Sequence, residues 1–100
     1  MKRQALDDGT WFDLDTAECF GEETRWDGHN HISVVTGSQW DHQDLYRTKS
    51  GRWVLRCWSQ RQGTLPTWEE IDNKTAAAWL VRNEHEPHTA CATEYAALEI

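Results

Sequence analysis

The sequence predicts an α+β domain, a small antiparallel sheet of three to five strands with one or two helices packed on one face. Three observations carry that reading. Residues 52–59 alternate, with Trp53, Leu55 and Cys57 on one side and Arg52, Val54, Arg56 and Trp58 on the other, the period of a strand with one buried face. Residues 45–48 precede it across Lys49, Ser50 and Gly51, a turn in which the glycine is free to take positive φ. Residues 74–82 then place Ala76, Trp79 and Leu80 at i, i+3 and i+4, a helical stripe.

The other elements follow in chain order. Residues 10–14 read as a strand, and Asp15 as the cap of a brief helical turn that carries Ala17 and Phe20 inward. Residues 24–26 and 31–36 flank DGHN, a turn-forming string, and predict a hairpin whose second strand carries Ile32, Val34 and Val35. GSQWDHQD reads as a loop leading into residues 45–48. Beyond the central hairpin, residues 67–71 form a fourth strand or an extended lead-in. Asp72 or Asn73 caps the helix, and Asn83 stops it. A last helix over 87–98 is predicted from Pro87 at a first-turn position and from Cys91, Tyr95 and Leu98 on one face. Residues 84–100 are thus expected to be a peripheral helix or a partly disordered tail.

One hundred residues make one domain, 1–100. A mean hydropathy of -0.83 is low, yet seven tryptophans, each able to bury roughly 150–250 Å², exclude a disordered chain. No apolar run approaches the roughly 20 residues that span a bilayer, and MKRQALDDGT lacks the apolar middle of a signal peptide, so no membrane association and a cytoplasmic location are expected. Cys19, Cys57 and Cys91 are odd in number and widely spaced. They read as reduced thiols, each a small hydrophobe in or near the core.

The net charge of -7 is unevenly spread. Residues 1–44 carry three basic against ten acidic side chains, residues 45–82 seven against three, and residues 83–100 four acids alone. If the fold keeps these segments apart, the molecule has an acidic side and a basic ridge; if it brings them together, they neutralise each other.

Few constellations suggest chemistry. His29 and His31 stand at i and i+2, on one side of a strand, where Asp27, Asp41 or His42 would have to complete a metal site. His85, His88 and Cys91 recur every third residue and would present three zinc ligands on one helical face, but Pro87 interrupts that helix. These three remain the weak zinc candidates. No phosphate loop, nucleophile elbow or paired-glycine motif is present, so no catalytic residue and no cofactor is expected.

Residues 46–61 interleave Arg47, Lys49, Arg52, Arg56 and Arg61 with Tyr46, Trp53 and Trp58, without an acid. Cations neutralise phosphates and rings stack bases, so a nucleic-acid ribbon is one reading; the net charge opposes it at long range. Arginine and tryptophan are also the anchors of protein interfaces, and Trp40 and Trp58 are the indoles expected at the surface. The expected partner is therefore another protein, and the expected binding set is Trp40, Tyr46, Arg47, Arg52, Arg56, Trp58 and Arg61. The competing account is a solvated hairpin whose arginines pair with acids from residues 1–44.

The strings LYRT, GRWVL, WSQ and AA-x-WL occur here as Leu45–Tyr46–Arg47–Thr48, Gly51–Arg52–Trp53–Val54–Leu55, Trp58–Ser59–Gln60 and Ala77–Ala78–Trp79–Leu80. In this pattern, spanning about residues 36–83, the chain resembles a loose group of small uncharacterised bacterial proteins, often carried on mobile or accessory DNA. The resemblance implies an accessory role: inhibition of a host or rival protein, such as a defence nuclease, or gene regulation. It implies no reaction.

Overall fold

The computed structural model describes residues 1–100 as eight strands and two helices. In chain order the strands are β1 Arg3–Ala5, β2 Trp11–Asp13, β3 Glu18–Gly21, β4 Thr24–Trp26, β5 His31–Ser33, β6 Asp41–Arg47, β7 Trp53–Ser59 and β8 Thr67–Ile71; the helices are α1 Asn73–Arg82 and α2 Ala92–Ala97. The main sheet runs β3-β6-β7-β8, antiparallel throughout, while β1-β2 and β4-β5 are separate two-stranded ribbons. This is the α+β architecture that the sequence predicts.

The β6–β7 hairpin closes where expected. Gly51 takes φ +94° and donates to the Thr48 carbonyl at 2.9 Å. The Thr48 amide bonds the Arg52 carbonyl at 2.8 Å, and the Arg52 amide returns a bond to the Thr48 hydroxyl at 3.0 Å. A side chain at Gly51 would be strained by that φ and would also meet the Arg47 guanidinium at 3.1 Å.

Alternation then sends Leu45, Trp53 and Leu55 to one face, against Ala76, Ala77, Trp79 and Leu80 of α1 and against Cys91. Asp72 starts α1 by accepting the Thr75 amide at 2.8 Å, as a helix cap should. Asn83 ends it: its buried side-chain amide donates to the Trp79 carbonyl and its oxygen accepts the Glu23 amide, both at 2.8 Å, which ties the helix end to the chain before β4. Both core indoles find acceptors, Trp53 on Asn73 and Trp79 on Gln43, each at 2.9 Å, so neither buries an unpaired donor.

The opposite face is covered at one end only. There Phe12 of β2 meets Tyr46 and Trp68, with ring centroids 6.0 and 5.9 Å away, above a fully buried Val54. The result is thin, 41 × 40 × 20 Å, with 12 of 100 residues buried. Its radius of gyration of 14.3 Å exceeds the roughly 13 Å of a close-packed chain this long.

Several local expectations are corrected. Asp15 caps no helix; residues 18–21 are β3, paired with β6, and long-range pairing overrides the local helical signal. Val34 and Val35 lie outside β5, because Ser33 and Thr36 draw the chain into a tight turn, with the Gly37 amide on the Ser33 carbonyl at 2.8 Å. β6 starts at Asp41, four residues before the apolar signal, since His42, Gln43 and Asp44 use their polar groups inside the sheet. The last helix starts at Ala92 and not at Pro87: the His88 side chain accepts the Ala90 amide and opens a single 3-10 turn, Thr89–Cys91, before α2. That segment docks on α1, and the Tyr95 hydroxyl donates to the carbonyl of His85, just beyond the helix, at 2.7 Å. Cys91 is buried, and burial pushes its thiol pKa up; Cys19 is exposed, against expectation, because it lies on the partly uncovered face of edge strand β3.

With so small a core, single deletions weigh heavily. Leu80→Ala is expected to lower the unfolding free energy by about 2–5 kcal/mol. Loss of the helix cap in Asp72→Ala should cost about 1 kcal/mol. Urea denaturation of the two variants beside the parent measures both.

Candidate functional site

The two-residue period of the hairpin divides the expected binding set. Arg47 falls on the helix face, its guanidinium 4.9 Å from the centre of the Trp53 ring. Tyr46, Arg56 and Trp58 fall on the opposite face. There Asp44 accepts from Arg56 at 3.3 Å and from the Trp58 indole at 2.9 Å, and the Arg56 guanidinium lies 5.1 Å from the Trp58 ring and 5.5 Å from Trp68. Arg52, at the turn, donates to Glu70 through Nε at 2.8 Å and again through Nη2, which also reaches Asp8 at 3.2 Å. Trp40 and Arg61 are exposed at the other end of the hairpin, and no carboxylate pairs with Arg61.

The seven residues therefore form no single patch. Trp58 is half-buried and hydrogen-bonded, not an exposed ring, whereas Trp11 and Trp26 are exposed indoles that the sequence did not single out. Burial, with a hydrogen bond to Cys19, pushes the Tyr46 hydroxyl pKa up to about 12.

The histidines are similarly dispersed. His85 Nε2 bonds the Gly21 carbonyl at 2.6 Å, His88 bonds Glu18 at 3.2 Å, and Cys91 is sealed in the core, so the zinc spacing brings no ligands together. Asp27 accepts the amides of His29 and Asn30, both at 2.8 Å, and so shapes the β4–β5 turn. His42 is tied elsewhere, to Glu22 at 2.9 Å, with its ring 4.6 Å from Trp58. No group of three His, Cys, Asp or Glu side chains is placed to hold a metal ion.

What the structure adds is a cleft of about 730 Å³ between residues 4–8 on one wall and 66–70 on the other. Trp68, Leu6 and Pro66 give it an apolar lining, and Asp7, Asp8, Glu69 and Glu70 make it acidic. Arg52 bridges Asp8 to Glu70 and is the cation paired with those acids. Its two walls stand about sixty positions apart in sequence. Only the doublets Asp7–Asp8 and Glu69–Glu70 hint at it, and neither doublet reveals that it faces the other.

These carboxylates couple stability to pH. The Thr10 hydroxyl and amide, with Arg52 contributing less, hold Asp8 below its ordinary 3.8, and Arg52 holds Glu70 below 4.5. A folded-state pKa below the unfolded value gives stability that is present above the unfolded pKa and is lost as pH falls through the folded one. The melting temperature is thus expected to fall as pH drops through about 4.5, where Glu70 in the unfolded chain is half protonated. Arg52→Gln should flatten that decline, since Glu70 and Asp8 lose a partner; thermal melts of both proteins between neutral pH and pH 3 test it.

No protein-family model, curated protein or solved structure matches the chain.

Proposed function

We propose that the protein is a non-enzymatic protein-interaction module, acting as an inhibitor or accessory factor of mobile-element origin. The observation that carries this reading is the exposure of large rings: Trp26 is 61%, Trp11 52% and Trp40 44% accessible, in a chain whose core is short of apolar area. Exposed indoles of this kind supply anchors that a partner can desolvate. The charge supports the same reading. Arg52 and Arg56, two of the five cations of the ribbon that would face phosphates, already pair with Glu70, Asp8 and Asp44, and the molecule remains at -7. An acidic surface of this size steers toward basic surfaces, including the nucleic-acid groove of a nuclease, and away from the nucleic acid itself.

The test has two arms. Immobilised protein should capture a proteinaceous partner from its native host, and Trp26→Ala combined with Trp40→Ala should abolish capture while stability stays within about 0.5 kcal/mol of the parent, as for exposed positions. Tight DNA or RNA binding at physiological salt, falling steeply as salt rises, with no protein captured, would instead establish the nucleic-acid reading.

A further inference from the structure

We infer that the cleft beside β8 is a docking slot for an extended, basic peptide segment of a partner protein, which adds to the sheet as a fifth strand. The inference rests on the protein-binding reading and names the partner's chemistry.

The backbone argument comes first. The Thr48 amide bonds the Arg52 carbonyl and the Gln60 amide bonds the Trp40 carbonyl, so the even-numbered residues of β7 direct their peptide groups to β6. The odd-numbered ones, Trp53, Leu55 and Cys57, therefore face β8, where they stand opposite Ile71, Glu69 and Thr67. That leaves the peptide groups of Trp68 and Glu70 directed away from the sheet. β8 is an edge strand, and no backbone or side-chain group bonds the outward side of these two residues. Pro66, which has no N–H, limits pairing at the strand's start.

The outward edge opens into the cleft and not onto a flat surface. Its far wall is formed by residues 4–8, where the Ala5 carbonyl is already taken by the Gln4 side-chain amide at 3.1 Å. On a strand laid along β8, the side chains of one face meet Trp68 and Glu70, and those of the other face meet Glu69. Charge selects the occupant. Four carboxylates face one guanidinium, and Asp7 and Glu69 have no hydrogen-bonded or ionic partner, so arginine or lysine at alternate positions of the incoming strand completes the slot. A second copy of this chain, itself at -7, meets repulsion there.

The probe is a capped seven-residue peptide alternating arginine with valine, titrated into isotope-labelled protein and followed by amide NMR. Binding should shift the Trp68 and Glu70 amides and slow their hydrogen exchange. The glutamate-for-arginine peptide should not bind, and methylating alternate peptide nitrogens of the probe should abolish binding along one edge. Asp7→Lys and Glu69→Lys alter exposed side chains with no folded-state bonds, and together they should weaken affinity on the order of tenfold or more. Several results overturn the inference: no binding at millimolar peptide, unchanged affinity in the charge-reversed variant, or equal affinity for both N-methylated registers, which indicates charge contact without strand pairing. Self-association that shifts the same two amides without peptide overturns it too, in favour of a second copy. Host-partner capture that depends on Trp26 and Trp40 while the Trp68 and Glu70 amides stay unmoved removes the slot and leaves the protein-binding reading intact.

Discussion

The register of the β6–β7 hairpin governs the rest of the molecule. Seven consecutive pairs, from Asp41 opposite Ser59 to Arg47 opposite Trp53, follow from one tight turn at residues 48–51. A slip of one residue would exchange faces, taking Leu45 off α1 and sending Tyr46 into its place. Both faces carry bulky rings, so hydrophobicity alone discriminates weakly between the two registers. Polar partners discriminate better: Gln43 must reach the Trp79 indole on the helix side, while Asp44 must reach Arg56 and Trp58 on the other. A slipped hairpin leaves these donors buried without acceptors, a larger penalty than the few contacts it regains.

Elements whose signal is local were legible in the sequence. The turn at Gly51, the alternation through β7, the cap at Asp72 and the stop at Asn83 each depend on neighbours within a few positions, and each lies where the pattern predicted. Elements that depend on distant pairing were not. Residues 18–21 show no strand alternation and become β3 because β6 offers an open edge; His42–Gln43–Asp44 look like loop because their polar groups are spent on Glu22, Trp79 and Trp58, partners that lie well away in sequence. The candidate site shows the same division. The basic hairpin is contiguous in sequence but split between faces in space, whereas the acidic cleft is contiguous in space but split in sequence between residues 4–8 and 66–70.

The arginines illustrate why charge summed along a segment misleads. Arg52 finds Glu70 eighteen residues on and Asp8 forty-four residues back. Exposed pairs of this type contribute little to stability. Their larger consequence is for recognition, because a guanidinium held in a fork between two carboxylates is poorly available to a phosphate. Arg52 also fixes Glu70 and Asp8 on either side of the cleft, so the residue that first reads as a ligand contact acts as a brace between the cleft walls.

An edge such as β8 is ordinarily a hazard, since unpaired peptide groups template the addition of any strand, including one from another copy. Proteins commonly blunt such edges with lysine, proline or a bulge. Here Pro66 guards the start, and Glu69 and Glu70 guard the rest with negative charge. Carboxylates repel a like-charged strand and attract a basic one, so negative charge along an edge discriminates between incoming strands. The deterrent weakens as salt rises and as the carboxylates take up protons. Arg52 opposes the second effect by holding Glu70 below its ordinary pKa, which extends the protected range toward acid. The brace across the cleft and the guard on the edge are therefore parts of one electrostatic arrangement.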